Sequence, residues 1–148
     1  MTPEQVLVVE DNADIRETMD MLLQDAGYSV RQAINGRDAV DQLLRGSCSP
    51  TVILLDMQMP IMNGRQFMVE LRKWPAFDSI SVILCSANLD INALAAELGV
   101  SGYLTKPVDY HELIQMIGEL NSRALAASLL SSGPQESAQS VLRNRPAQ

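Results

Sequence analysis

Polar side chains able to do chemistry follow four separate apolar runs. Glu10 and Asp11 come directly after Val6–Val9. Asp56 follows Val52–Leu55, Ser86 follows Ile80–Leu84 and Cys85, and Lys106 follows Gly102–Thr105. If these runs are strands of one sheet, three carboxylates, a hydroxyl and an ammonium meet at one edge. Carboxylates so placed repel one another, and a proton or a cation must relieve that repulsion. An all-oxygen set selects a hard cation, with Mg2+ the expected one. No His or Cys is placed for zinc. A carboxylate beside Mg2+ can attack phosphorus and form an acyl phosphate. The metal and the lysine would neutralise the transferring phosphoryl oxygens, and Ser86 would donate a hydrogen bond to one of them. One Asp after a strand has an ordinary explanation as a turn or cap residue. Convergence of four segments does not.

Hydrophobic periodicity supplies the elements that this convergence needs. Val6–Val9 and Val52–Leu55 are continuous apolar runs, as expected of strands buried on both faces. Tyr28–Ala33, Ile80–Leu84 and Gly102–Thr105 read as the other strands. Between them apolar residues recur at helical spacing: Ile15, Met19, Leu22 and Ala26, then Ala39, Val40, Leu43 and Leu44, then Phe67 and Leu71, then Ile91, Leu94, Ala95 and Leu98. Gly27, Gly46 and Gly99 end three of these helices. Asp109 and Glu112 have capping-box spacing before Leu113, Ile114, Ile117 and Leu120, the fifth helix. Five β/α units predict an α/β, doubly wound, five-stranded parallel sheet with helices on both faces. Right-handed crossovers bring the strand C-termini to one edge, where ligands bind in such sheets.

The tail differs. Arg123–Leu130 reads as one more amphipathic helical segment. Ser131–Gln148 is rich in Ser, Gln and Pro, with a break at Gly133-Pro134, and reads as a linker or disordered end. The organisation expected is therefore one domain over residues 1–121 and a C-terminal extension over 122–148, partly disordered.

The 148-residue chain has a net charge of −7. The acidic excess lies in the body, whereas the tail carries Arg123, Arg143 and Arg145 against Glu136. An acidic body disfavours phosphate backbones, so no nucleic-acid site is expected. Cys48 and Cys85 show neither metal spacing nor a disulfide framework, which suggests a reduced, cytoplasmic setting. Met1 to Gln5 does not look like a signal peptide, and no apolar run approaches a membrane span. His111, the single histidine, falls in the first turn of the last helix, away from the strand-end edge, and reads as a surface residue.

Taken in order, Glu10-Asp11, Leu54-Leu55-Asp56-Met57-Gln58-Met59-Pro60 with Gly64, Ser86-Ala87 and Tyr103-Leu104-Thr105-Lys106-Pro107 resemble the receiver domains of two-component response regulators, over about residues 4–120. The resemblance implies a chemotaxis-regulator-like, flavodoxin-like fold with strand order 2-1-3-4-5. It implies Asp56 as phosphoacceptor, Asp11 as a direct Mg2+ ligand, Glu10 as a ligand through water, and the backbone carbonyl of Gln58 as a further ligand. Lys106 would pair with the phosphoryl group, or with Asp56 before phosphorylation. Ser86 and Tyr103 would be the switch pair, Ala87 the small neighbour, and Pro107 would follow a cis bond. The implied partners are a sensor histidine kinase or histidine phosphotransfer protein and a downstream protein target, with the chain a monomer or a weak phosphorylation-dependent dimer. Its catalysis would be confined to its own phosphorylation and dephosphorylation. Val100-Ser101-Gly102-Tyr103 lacks the acidic pair typical of receivers that dimerise before a winged-helix domain.

Two other classes fit less well. A haloacid-dehalogenase-like phosphatase needs a second Asp two residues after the nucleophile, where Gln58 stands. A nucleotide-binding first turn needs glycine, whereas Glu10-Asp11-Asn12-Ala13 is glycine-free and acidic. A further alternative is that the chain is the N-terminal receiver of a longer regulator whose output domain is absent here.

Overall fold

Val6–Val9 and Val52–Leu55 carry no polar side chain, so they can sit only where both faces of a sheet are covered. In the computed structural model, which describes residues 4–143, they belong to two of the three interior strands. β1 is Gln5–Val9, β2 Ser29–Ala33, β3 Val52–Asp56, β4 Ser81–Ser86 and β5 Gly102–Thr105. All pair in parallel, in the order β2-β1-β3-β4-β5. The helices are α1 Ala13–Asp25, α2 Gly36–Arg45, α3 Gly64–Leu71, α4 Ile91–Leu98 and α5 Tyr110–Arg143, with a short 3-10 turn at Pro75–Phe77.

The helix ends follow local chemistry. Asn12, Asn35 and Asn63 cap α1, α2 and α3 by accepting from the backbone N–H of Ile15, Asp38 and Gln66. Asn63 and Gln66 complete a capping box. Gly46 and Gly99 stop α2 and α4 in the left-handed conformation, at φ 71° and 66°. Arg72 reinforces the end of α4: its Nη2 donates to the carbonyls of Leu98 and Gly99 at 3.1 and 2.8 Å.

The sheet divides the apolar interior in two. One side packs Leu7, Val9, Ile53, Leu55 and Leu84 against Phe67, Met68, Leu71, Ile91 and Leu94. The other packs Val6, Val8, Val52, Leu54 and Ile83 against Met19, Leu23, Leu113 and Ile117. Alternate residues of each central strand serve opposite sides, as the two-residue period of a strand requires. Phe67 is fully buried, and its truncation to Ala would cost about 3–5 kcal/mol.

β1, β2 and β3 each shift by one residue at one end from the sequence reading, and β4 and the tail depart further. β4 starts at Ser81 and runs on to Ser86, because its ladder with β5 extends to the Ser86–Thr105 pair. The tail was expected to turn into a linker at Ser131, with a break at Gly133-Pro134. Instead α5 continues to Arg143. The preceding turns already supply the nucleus, and Gln135, Glu136, Ala138, Leu142 and Arg143 are tolerated in a helix, whereas Gly133 and Pro134 oppose it by about 1 and about 3 kcal/mol. The last part of the expected linker, 144–148, lies outside the described residues. No helix among the described residues is long and apolar enough to cross a membrane.

Candidate functional site

The sheet order puts the C-terminal ends of β1, β3, β4 and β5 side by side. Register carries the polar residues to that edge: Val9 lies opposite Leu55, Asp56 opposite Cys85, and Ser86 opposite Thr105. Backbone bonds continue past the strands. The Glu10 N–H donates to Ala33 O (3.1 Å), Met57 N–H to Cys85 O (3.1 Å) and Lys106 N–H to Ser86 O (2.9 Å). Glu10, Asp56 and Ser86 are buried, whereas Asp11 is exposed.

Glu10, Asp11 and Asp56 each place a carboxylate oxygen within 4.8 Å of the others. Lys106 Nζ lies 3.0 Å from Asp56 Oδ1 and 3.3 Å from Glu10 Oε2. One ammonium thus pairs with two of the three carboxylates. Burial first, and then the negative charge of Asp56, push the Glu10 carboxyl above its usual range, with Lys106 pulling the other way. For Lys106, burial lowers the ammonium's pKa, but Asp56 and Glu10 together outweigh it and the net shift is upward. An acidic cluster left with surplus negative charge, one member reluctant to ionise, suits a hard divalent cation. The donor set therefore fits Mg2+.

The β3–α3 loop closes on itself. The Gly64 N–H donates to Met57 O at 3.0 Å, and the Gly36 N–H of α2 to Met62 O at 3.3 Å. A side chain would collide at Gly36 and be tightly crowded at Gly64. A Cβ on Gly64 would lie 3.0 Å from Met57 Cα, and one on Gly36 2.8 Å from Met62 O. Within the loop, the Gln58 N–H donates to Asp56 Oδ1 (3.3 Å). Ile61 holds φ 68°, a conformation unusual for a β-branched residue.

The remaining candidates fall close by or on the adjoining face. The Ser86 hydroxyl accepts from the Asn88 N–H at 3.1 Å. Ala87, Lys106, Pro107, Val108 and Tyr110 line a largely apolar groove with Ile15 and Met19 of α1. The Lys106-Pro107 bond is cis. Tyr103, 38% exposed on edge strand β5, points out of the core. His111 is exposed on α5. Burial holds the Cys85 thiol up to about 12, so it stays protonated beside the site.

Residues 6–118 match the family described as the response regulator receiver domain. The chain belongs to that family. A protein-glutamate methylesterase/protein-glutamine glutaminase of Treponema pallidum (strain Nichols) is 41% identical to this receiver over 107 residues, 69% of the chain. That match covers 26% of the relative, so the chain spans about a quarter of its length. Among solved structures, the signal receiver domain of a signal transduction histidine kinase from Syntrophus aciditrophicus is 29% identical, with a TM-score of 0.72 over 80% of this chain and 90% of that one. Chemotaxis protein CheY4 of Vibrio cholerae is 26% identical, with a TM-score of 0.73 over 80% of this chain and 99% of that one. The receiver fold and strand order expected from the sequence are those observed.

Two contacts of this receiver escaped the sequence reading. Lys106 bridges Asp56 and Glu10 rather than meeting Asp56 alone. Arg16, on α1, donates from Nη1 to the Glu10 carbonyl at 2.9 Å. Its place five residues after Asp11, one turn into a helix, was the only available signal, and spacing names no partner for a long side chain.

Proposed function

We propose that this receiver is the phosphoacceptor of a two-component phosphorelay and that Asp56 takes the phosphoryl group from a phosphohistidine of a sensor histidine kinase or phosphotransfer protein. The carrying observation is the Lys106 bridge between Asp56 and Glu10, set beside Asp11. An Asp56 carboxylate oxygen forms the new O–P bond as the N–P bond of the donor breaks, and the imidazole leaves. Lys106 then turns from the Asp56 carboxylate to the phosphoryl oxygens. Mg2+ would be held by Asp11 and Asp56 directly, by Glu10 through water and by the Gln58 carbonyl, and when bound would neutralise charge on the transferring group. Ser86 would release the Asn88 N–H and donate to the phosphoryl group. Tyr103 would turn inward behind it, changing the face of α4, β5 and α5 that meets a downstream protein.

The setting proposed is cytoplasmic, with the chain a monomer or a weak phosphorylation-dependent dimer, no direct nucleic-acid contact, and no catalysis beyond its own phosphorylation and dephosphorylation. A receiver unit over 1–121 is supported by burial, which ends at Leu120 and Asn121, with 122–130 exposed. The same site would serve the N-terminal receiver of a longer regulator.

Incubation with acetyl phosphate and Mg2+, followed by intact mass measurement, tests the assignment. Wild type should gain one phosphoryl group and Asp56→Asn none. An equal gain in the Asn variant would overturn it. In a Mg2+ titration, Asp11→Ala should be more damaging than Glu10→Ala.

A further inference from the structure

We propose that Arg16 is a positioning residue, whose guanidinium holds the β1–α1 loop so that Glu10 and Asp11 face Asp56. The inference rests on reading the three carboxylates as a divalent-cation site.

Glu10 and Asp11 lie in the short stretch between β1 and α1, outside the sheet ladder on one side and ahead of the helix ladder on the other. The Glu10 N–H is held by Ala33 O of β2 at 3.1 Å. Its carbonyl is held by Arg16 Nη1 at 2.9 Å, and the same nitrogen lies 3.5 Å from the Asp11 carbonyl. The loop is thus gripped from both sides of the Glu10 peptide. Arg16 is itself fixed. Its Nε donates to Gln32 Oε1 on β2 at 2.9 Å. The Gln32 amide donates in turn to Asp20, which also accepts from Gln24 at 2.5 Å. Arg16, Gln32, Asp20 and Gln24 form one chain from α1 to β2 and back, ending on the backbone of the acidic pair.

Charge does not explain this arrangement. A guanidinium near a cation site opposes the cation, so deleting it should tighten ion binding if charge were its main effect. Deleting a group that orients the ligands should weaken binding, as loss of partners behind metal ligands commonly does. The two accounts predict opposite signs.

Mg2+ affinity should be measured by NMR titration for wild type, Arg16→Met, Arg16→Lys and Gln32→Ala, with amide hydrogen exchange of the metal-free proteins alongside. Arg16→Met should bind Mg2+ about tenfold more weakly. Arg16→Lys, which keeps a donor but loses the fork, should fall between, and Gln32→Ala should show a smaller loss of the same sign. Exchange at Asp11 and Asn12 should speed up in Arg16→Met while β3 and α5 stay protected. Equal or tighter binding by Arg16→Met overturns the proposal. If that variant does not fold, unchanged affinity in both Arg16→Lys and Gln32→Ala overturns it instead. Should wild type itself ignore Mg2+, the cation-site reading fails, and exchange at Asp11 and Asn12 still decides whether Arg16 holds the loop.

Discussion

Lys106 crosses the end of β4 to bring its Nζ within 3.0 Å of Asp56 Oδ1, although β5 and β3 are not neighbours in the sheet. Among the described residues, the lysine is the cationic group paired with the buried carboxylates Glu10 and Asp56, and one positive charge does not balance two negative ones.

That imbalance has a sign. Glu10 is raised above 4.5, first by burial and then by Asp56. Between the unfolded and the raised folded value, the folded state binds more protons. Stability of the metal-free protein should therefore fall as pH rises from about 4.5 through the raised value. Glu10→Gln removes the charge and should raise the melting temperature near neutral pH in the presence of a chelator. It should also shrink the stabilisation given by added Mg2+. Thermal denaturation across this pH range, with and without Mg2+, checks both effects.

Ser86→Ala should still accept a phosphoryl group on Asp56 but transmit it weakly. The hydroxyl accepts from the Asn88 N–H, and in the proposed route it would turn to donate to the phosphoryl group. A charge-assisted hydrogen bond is worth about 1.5–3 kcal/mol, while a swing from 1% to 99% of one state needs about 5.5 kcal/mol. Lys106 and the ion must supply the remainder. Amide shifts of residues 88–115 in the phosphorylated proteins are the measurement. Identical shifts in wild type and Ser86→Ala would remove Ser86 from the route.

Ile61→Gly should stabilise the fold. Ile61 sits at φ 68° and is 79% exposed, so its side chain contributes strain and little burial. Relief of a left-handed β-branched residue is worth about 1–2 kcal/mol, and the extra freedom of glycine in the unfolded chain takes back about 0.5–1 kcal/mol. A net gain of about 0.5–1 kcal/mol in urea denaturation is expected; a loss would show that Ile61 packs against more than its exposure indicates.

A chain ending at Ser122 should fold with an unfolding free energy within about 0.5 kcal/mol of the full chain. Thr51 Oγ1 meets Asn121 Oδ1 at 3.2 Å, and the side chains at 122–130 are exposed. Urea denaturation and Mg2+ titration of both lengths measure the boundary; a large loss would mean that the extension belongs to the folding unit.

The strands and four of the helices were legible because the period of burial is written in residue type: Val52–Leu55 permits only a central strand, and Gly46 and Gly99 permit only a stop. The convergence of Glu10, Asp56, Ser86 and Lys106 followed from topology. Contacts made by long flexible side chains did not. Lys106 reaching Glu10, Arg16 reaching back to a carbonyl, and Arg72 capping α4 all depend on distances between elements that no local pattern encodes. The extent of α5 is hard to read from sequence for another reason. Ser, Gln, Gly and Pro predict a break when read alone, whereas a helix arriving from residue 110 has already met its nucleation cost.

The self-closed β3–α3 loop would also set the character of ion uptake at the proposed site. Each residue that must be ordered costs about 1–2 kcal/mol in lost backbone freedom. With Gly64 tied to Met57 and Gly36 tied to Met62 beforehand, arrival of a cation has little left to order. Uptake should be a single fast phase, its heat dominated by water leaving the ion rather than by a loop being frozen, and a slow ordering phase should be missing from stopped-flow traces.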